Sequence, residues 1–420
     1  MTLRPPPAHR VTSATLQAAY PFIAGGSLGA AGVYIGRDLY GSAFAYDPFL
    51  AYEAGLIGSP NMIVMGQLGR GKSTFVKSYL WRQLTFGRQA QVFDVKGEYG
   101  PLCDAVGATP LRLRPGGRLR LNPLDPGTLA QEESARATFG RQLALATALA
   151  EQALTRPLQA WEHAACYEAL RALGVGRSVT PTLPDLVDEL LAPGDDAARA
   201  LKVDRAEAAR ESRAVALALR RLVHGDLAGM FDGPTTNGLD VSADLVVMDL
   251  SQISDAALGL IMTCATAWLQ TRLSAHDGVK RIVVMEEAWR VLADLGVARW
   301  MQQAWKLARQ YGVQYVAVLH RLSDLDAAGH ADSEQVRLAR GLIHDVETRV
   351  VYGQSDSEVP ATRELLGLSD TEARLLPGLG KGVALWKIGD RSFLVQHRLG
   401  RSELAITDTN AAMSDSRTAV

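Results

Sequence analysis

Residues 66–73 limit the folds open to this chain more than any other segment, because they have the sequence Gly-Gln-Leu-Gly-Arg-Gly-Lys-Ser. This is the G-x-x-x-x-G-K-[ST] spacing of a phosphate-binding loop between a buried strand and a helix. The short apolar run at 61–65 predicts the strand, and residues 74–86 predict the helix. This order directs backbone N–H groups and the positive end of a helix at a polyphosphate. We therefore expect a nucleotide site and not an ordinary glycine-rich turn.

Individual positions of this loop have expected roles in binding ATP with Mg²⁺. The ammonium group of Lys72 would reach the β- and γ-phosphates and take part in catalysis, and the hydroxyl of Ser73 would ligate the metal ion. The residues expected to surround the nucleotide are Gly66, Gln67, Leu68, Gly69, Arg70, Gly71, Lys72, Ser73 and Thr74.

A second segment supplies two carboxylates at the end of a predicted strand. The apolar residues 282–285 are followed directly by Glu286 and Glu287. Open α/β sheets bind ligands at the C-terminal ends of their strands, so we expect Glu286 to hold Mg²⁺ opposite Ser73. Glu287 is expected to polarise the attacking water. The alternative is a pair of exposed acids at the start of a helix, where the helix dipole favours negative charge.

A third strand end carries a histidine. The apolar run at 315–319 predicts a strand, and His320 follows it. His320 is expected to contact the nucleotide as a sensor of the γ-phosphate. The alternative is a loop histidine that is simply hydrogen-bonded.

Composition and charge exclude little beyond a fibrous or disordered chain. The sequence is 47% hydrophobic and 21% charged, which is typical of globular proteins. Lys and Arg total 44 against 45 for Asp and Glu, so net charge gives no general argument for nucleic-acid binding. Cys103, Cys166 and Cys264 are far apart in the sequence, which indicates buried, reduced thiols and no metal site.

We expect neither a signal peptide nor a membrane helix in the N-terminal region. Residues 14–35 are fairly apolar, but Pro21 and several glycines interrupt them. No apolar run approaches the roughly 20 residues that a spanning helix needs. We expect a cytoplasmic protein that reaches a membrane only through partners.

Strand and helix patterns alternate along most of the chain, which predicts the α/β class. The expected fold is a P-loop NTPase (RecA-like) with a mostly parallel sheet, helices on both faces and an inserted all-helical subdomain. The expected parts are an extension at 1–30 that is partly disordered, the ATPase domain at 31–126 and 229–405, the helical insertion at 127–228, and a loose tail at 406–420.

Residues 111–121 alternate between apolar and basic positions around a Pro-Gly-Gly sequence, which predicts a β-hairpin. The hairpin would carry four arginines on one face, where they could meet the phosphates of DNA. The alternative is a solvated face on an edge hairpin. These arginines are Arg112, Arg114, Arg118 and Arg120.

Taken together, the segments resemble the ATPases of conjugative transfer and type IV secretion systems, of the TraC/VirB type. These belong to the HerA–FtsK superfamily of P-loop motor proteins. The resemblance covers roughly residues 30–400. The matching segments are 61–73, 94–99, 121–125, 229–235, 286–289 and 377–389.

The resemblance implies Mg²⁺-dependent ATP hydrolysis and a hexameric or dimeric homo-oligomer, of which we expect the hexamer. It also implies secretion-channel or coupling proteins as partners at the inner membrane, and DNA as a further candidate partner. It also implies an arginine donated by a neighbouring subunit, for which Arg309, Arg321 and Arg349 are candidates.

Three departures from the family pattern are visible. Glu286 replaces the usual Asp, and His320 stands where relatives carry Gln. The large N-terminal domain of these relatives has little counterpart here, so we expect docking to depend on another polypeptide.

Three hypotheses remain open at this point. The first is an ATP-driven motor of a conjugation or secretion machine, supported by the phosphate loop and the paired glutamates. The second is a translocase that acts directly on DNA through the basic hairpin. The third is a nucleotide-gated assembly scaffold with little turnover, suggested by the substitutions at Glu286 and His320.

Overall fold

The computed structural model of the chain describes residues 28–126, 134–174, 180–237, 239, 243–273, 278–292, 295–320 and 334–407. The strands, in chain order, are β1 (Val33–Asp38), β2 (Ala43–Tyr46), β3 (Met62–Met65), β4 (Gln89–Asp94), β5 (Leu111–Arg112), β6 (Leu245–Asp249), β7 (Arg281–Met285), β8 (Val313–Leu319), β9 (Thr348–Tyr352), β10 (Val383–Ile388) and β11 (Arg391–His397).

Helices separate most of these strands. In chain order they are α1 (Pro48–Glu53), α2 (Lys72–Thr85), α3 (Gly100–Val106), α4 (Ala135–Leu154), α5 (Ala160–Gly174), α6 (Leu183–Leu191), α7 (Asp195–Ala200), α8 (Arg205–Val223), α9 (Asp255–Leu273), α10 (Ala288–Leu292), α11 (Leu295–Tyr311), α12 (Glu334–His344), α13 (Val359–Leu366), α14 (Asp370–Leu375) and α15 (Arg401–Thr407). A short 3₁₀ turn covers Leu376–Gly378.

The chain divides into two compact units, and the first contains the phosphate loop. Its described parts are 28–87, 318–320 and 343–407. The strand order is β2-β1-β11-β10-β9-β3, with antiparallel neighbours as far as β9 and a parallel pair between β9 and β3. Strands β1 and β2 form one antiparallel hairpin, and β10 and β11 form another.

Aromatic packing in the first unit fixes the helix that follows the phosphate loop. The ring of Phe75 on α2 meets Trp386 of β10 edge-on, with 5.3 Å between ring centroids. Phe44 of β2 meets the same indole at 5.2 Å. All three side chains are buried, and such pairs contribute about 0.5–1.5 kcal/mol each beyond the area that they bury. The start of α2 is therefore held from the sheet side.

The second unit contains the paired glutamates and comprises 88–317 and 323–342, of which 88–126, most of 134–317 and 334–342 are described. Its strand order is β8-β7-β4-β6-β5, and every pair among them is parallel. The four longer strands consist almost entirely of buried residues, as expected for a parallel sheet covered by helices. The predicted α/β class is confirmed.

Helices α4–α8 form the helical insertion between β5 and β6. Thr182 begins α6 with a capping box, in which its backbone N–H donates to the Asp185 carboxylate at 2.8 Å. The helical periodicity of 198–223 favours a single helix, but the structure divides this segment between α7 and α8. Lys202 has a left-handed φ of +59°, and Asp204 then caps α8 by accepting the Glu207 N–H at 2.8 Å.

The predicted hairpin at 111–121 is also wrong. Only Leu111–Arg112 forms a strand, and it pairs in parallel with β6. The N–H of Gly116 donates to Ala228 O at 2.8 Å, and the N–H of Leu121 donates to Met230 O at 2.8 Å. The segment therefore pairs with 228–230, and a hydrogen bond from the N–H of Gly117 to Arg114 O at 3.0 Å closes its turn.

The arginines of that segment lie outside a hairpin and differ in their partners. Arg112 lies 3.6 Å from the carboxylate of Asp249, and Arg120 donates to Asp232 at 2.8 Å. Two of the four charges are thus paired with carboxylates of this chain, whereas Arg114 and Arg118 are exposed. Their contact with DNA stays a prediction.

The three cysteine thiols are buried, as expected. Burial raises the pKa of Cys103 and of Cys166 to about 12, and it raises the pKa of Cys264 further. These thiols therefore remain protonated and unreactive. Among the residues with described positions, no helix is both long and apolar enough to cross a membrane.

Candidate nucleotide site

The loop at 66–73 has the backbone that a phosphate loop requires. Gly66, Gly69 and Gly71 have φ angles of +153°, +73° and +105°, which side chains rarely allow. A Cβ on Gly66 would lie 2.5 Å from the Cβ of Tyr352 on the neighbouring strand β9. Lys72 follows Gly71 as the first residue of α2. The expected order of buried strand, glycine loop and helix is therefore confirmed.

Lys72 lies over this loop and not in solvent. Its side chain is buried, and its Nζ donates to the carbonyl oxygens of Gly66 at 2.5 Å and of Gln67 at 2.9 Å. Ser73 and Thr74 follow in the first turn of α2, half-buried. First-turn N–H groups have no partner within their own helix. Ammonium, hydroxyl and backbone N–H groups are the donors that a polyphosphate with Mg²⁺ needs, so these residues fit such a ligand.

Two side chains of the loop brace it against the rest of the first unit. Arg70 Nη2 donates to Gln67 Oε1 at 3.2 Å, and Arg70 Nη1 donates to Leu379 O at 3.3 Å. The backbone of Gln67 donates to Gly353 O at 3.1 Å, and Gly382 N donates to Arg70 O at 3.0 Å. Gln67 and Arg70 thus hold the shape of the loop. The side chain of Leu68 at its tip is 70% exposed.

Glu286 and Glu287 are buried, at 4% and 5% exposure, directly after the fully buried strand β7. Their burial contradicts the alternative of two exposed acids at a helix start. Charged carboxylates do not remain in such a place without donors, because burial without a partner costs several kcal/mol. The neighbouring loop after β4 supplies these donors.

Glu286 is held by a tyrosine of that loop. Tyr99 Oη donates to Glu286 Oε1 at 2.6 Å. Burial and the charge of Glu286 raise the pKa of Tyr99 well above its usual range, so the phenol stays protonated as a donor. This bond fixes the orientation of the carboxylate that we predict to hold Mg²⁺.

Asp94 at the end of β4 shapes the loop. Its Oδ1 accepts the N–H groups of Lys96 at 3.1 Å and Gly97 at 2.8 Å, and its Oδ2 accepts the N–H of Tyr99 at 3.0 Å. Burial raises the pKa of Asp94, and the three backbone donors oppose that rise. Because Phe93 and Met285 are register partners, this loop emerges beside the paired glutamates.

Glu287 has a different environment. Lys96 Nζ forms an ion pair with its Oε1, and Trp289 Nε1 donates to its Oε2 at 2.6 Å. The backbone of Glu287 has a φ of +50°, in the left-handed region. Its carbonyl oxygen accepts the N–H of Arg290 at 2.9 Å.

Lys96 and Tyr99 are site residues that sequence reasoning missed. The segment 94–99 was noted only for its family resemblance, without roles for its side chains. The available signal was an Asp at a strand end with Gly97 three positions later, which is the pattern of a turn built on the Asp side chain.

The remaining candidates differ in their surroundings. His320 is half-buried and directly follows β8, and its predicted contact with nucleotide stays a prediction. Arg349 donates to Leu366 O at 2.6 Å and His344 O at 2.8 Å, so it is bonded within its own unit. Arg309 on α11 is exposed, and Arg321 lies outside the described residues. Of the two described arginines, Arg309 is the more exposed, and a role for it in a neighbouring subunit stays a prediction.

Comparison with known proteins agrees with this geometry. No family model matches the chain. Protein TraC of Escherichia coli (strain K12) is 23% identical over 275 residues, which cover 64% of this chain and 30% of the length of TraC. The chain therefore matches less than a third of that relative.

Solved structures share the fold over most of the chain. VirB4 of Thermoanaerobacter pseudethanolicus superposes with a TM-score of 0.73 at 18% identity, covering 91% of this chain and all of that one. The plasmid coupling protein TrwB in complex with the ATP analogue ADPNP gives a TM-score of 0.61 at 15% identity and 93% coverage of both chains. TrwB with ADP and Mg²⁺ gives 0.55 at 16% identity, covering 81% of this chain and 85% of that one. The predicted resemblance to TraC/VirB-type ATPases is confirmed.

Proposed function

We propose that this chain binds and hydrolyses ATP with Mg²⁺ as a motor of a conjugative DNA transfer or type IV secretion machine. The observation that carries the proposal is the loop at 66–73, with the buried ammonium of Lys72 over three left-handed glycines at the start of α2. Its support from relatives is the shared fold with TrwB, whose solved structures hold ADP with Mg²⁺ and an ATP analogue.

Four side chains divide the work in this proposal. Lys72 would bind the β- and γ-phosphates, and Ser73 and Glu286 would hold Mg²⁺, which would supply neutralisation of the phosphate charge. Glu287 accepts a proton from the attacking water. That the loop and the acidic pair act on one nucleotide is part of the proposal.

Assembly and location belong to the same proposal. We infer a homo-oligomer, with a hexamer expected, in which Arg309 of one copy completes the site of its neighbour. The chain would work in the cytoplasm, at the inner face of the membrane, with secretion-channel or coupling proteins as partners. This placement rests on the resemblance to conjugation and secretion ATPases, and the likeness to VirB4 concerns the fold.

The test is ATPase activity against protein concentration, with and without DNA. We expect turnover per chain to rise steeply with concentration, because the site is shared between subunits. Lys72→Ala should lose both nucleotide binding and turnover, whereas the matched change Lys202→Ala in the helical insertion should alter neither. Tight ATP binding without turnover at any concentration would contradict the motor and favour the scaffold. Turnover that depends on DNA would favour a translocase.

A further inference from the structure

The carboxylate predicted to activate water is already paired with a cation of its own chain. Lys96 Nζ contacts one oxygen of Glu287, and the Trp289 indole donates to the other at 2.6 Å. The side chain of Glu287 is 6% exposed, against 30% for Lys96. A carboxylate with a donor on each oxygen is a weaker proton acceptor than one aimed at water.

The backbone at Glu287 is held in a costly conformation that directs the side chain to these partners. A left-handed φ of +50° in a residue other than glycine costs on the order of 1 kcal/mol. It persists only where surrounding bonds over-determine it. Here those bonds are Glu286 N to Phe93 O at 3.3 Å on one side and Arg290 N to Glu287 O at 2.9 Å on the other.

Lys96 is delivered to this position by a loop built for it. Three backbone N–H groups, including that of Lys96 itself, converge on the carboxylate of Asp94. Gly97 allows the turn with a φ of +73°, and a Cβ there would lie 3.1 Å from Ser251 Oγ. The stem of Lys96 therefore starts from a fixed point, and its side chain is 30% exposed. Such an arrangement allows a switch between two poses.

We propose that Lys96 is a positioning residue that holds Glu287 in a resting pose, and that its release from Glu287 precedes each turnover. This inference rests on the proposed ATPase function. It assigns Lys96 no contact with the reacting atoms. If Lys96 restrains Glu287, its removal should raise the rate of ATP hydrolysis. If it does not, its removal should leave that rate unchanged or lower it.

The test compares Lys96→Met with Lys96→Arg and with the control Lys202→Met, in the full chain. We expect Lys96→Met to raise kcat at saturating ATP by about tenfold and to leave KM within about twofold. Lys96→Arg should stay near wild type, because the cation is kept. In the double variant Lys96→Met with Glu287→Gln the gain should disappear. A kcat that is unchanged or reduced in Lys96→Met would overturn the inference.

A second measurement reads the contact without relying on turnover. The indole N–H resonance of Trp289, assigned by its loss in Trp289→Phe, reports the hydrogen bond to Glu287. We expect Lys96→Met to shift it and Lys96→Arg to leave it in place. An unshifted signal in Lys96→Met would also count against the inference.

The outcomes separate the two proposals. An active wild type that is silenced by Glu287→Gln but not accelerated by Lys96→Met sinks this inference alone. An inactive wild type with an active Lys96→Met supports both. If wild type and Lys96→Met both bind ATP and neither hydrolyses it, the ATPase proposal fails, and so does the proposed release of Glu287 by Lys96. The Trp289 resonance would then report only a structural ion pair.

Discussion

The phosphate loop and the acidic end of β7 reach their shapes by different means. In the loop, three glycines with left-handed φ angles set the backbone, and few side chains besides Lys72 are committed. At the acidic end, Glu287 takes a left-handed φ although it is not a glycine. Tyr99 and Lys96 of the segment that follows β4 hold the two glutamates. The loop therefore depends on glycine at particular positions, whereas the acidic end depends on pairs of side chains.

The largest expected effect is a loss of ATP turnover on substitution of Glu287 at the acidic end of β7. Glu287→Gln keeps the shape of the side chain but removes its basicity, so turnover should fall by about 10²–10⁴-fold, the usual contribution of a general base. Nucleotide affinity should stay within about threefold, because the loop is untouched. Single-turnover hydrolysis and equilibrium binding measure the two quantities. Glu211→Gln on the exposed face of α8 is the matched control. An equal loss of turnover in this control would show that the effect is not specific to Glu287.

At the phosphate loop, substitution of a glycine is expected to lower the stability of the fold. In Gly66→Ala the new methyl group would lie 2.5 Å from Tyr352 Cβ and 3.1 Å from its Cα. We expect a loss of about 3 kcal/mol in the free energy of unfolding. Gly69→Ala meets no atom within 4 Å and carries only the strain of its φ of +73°, about 1–2 kcal/mol.

Urea unfolding of the two alanine variants under identical conditions measures this contrast. If the two variants lost equal stability, contact with Tyr352 would not be the reason for a glycine at 66, and the loop would be less constrained than we describe.

A smaller effect is expected where one hydrogen bond is removed. Tyr99→Phe leaves Glu286 Oε1 without its phenol donor, which should cost about 1–3 kcal/mol of stability because the carboxylate is buried. It should also weaken Mg²⁺ binding in the presence of nucleotide, since the carboxylate is no longer oriented. Tyr167→Phe, at an exposed position of α5, should change stability by less than about 0.5 kcal/mol. Equal effects at both positions would show that the phenol does not position Glu286.

The sequence predicted the features that depend on local patterns. The strand predicted at 61–65, the glycine loop and the helix predicted at 74–86 are set within a few residues of each other. The structure confirms each element, with the strand at Met62–Met65 and the helix at Lys72–Thr85. The strand Arg281–Met285 with two acids after it was predicted for the same reason.

Patterns with more than one structural solution misled the prediction. Residues 111–121 alternate because Leu113 and Leu121 are buried while the arginines between them are not. A hairpin would give the same alternation as a segment bonded to 228–230. The pair of Lys96 with Glu287 joins residues far apart in the chain, and no local pattern specifies which cation will meet which carboxylate.

The central claim is that Ser73 and Glu286 hold one metal ion with the nucleotide. The most direct measurement is a double-mutant cycle on Mn²⁺ affinity in the presence of a non-hydrolysable ATP analogue, with Ser73→Ala, Glu286→Gln and the double variant. Two ligands of one ion should be coupled, so we predict that the double variant departs from the sum of the single losses by about 1 kcal/mol or more. Losses that add within about 0.5 kcal/mol would mean that the two groups act independently, and would contradict the account.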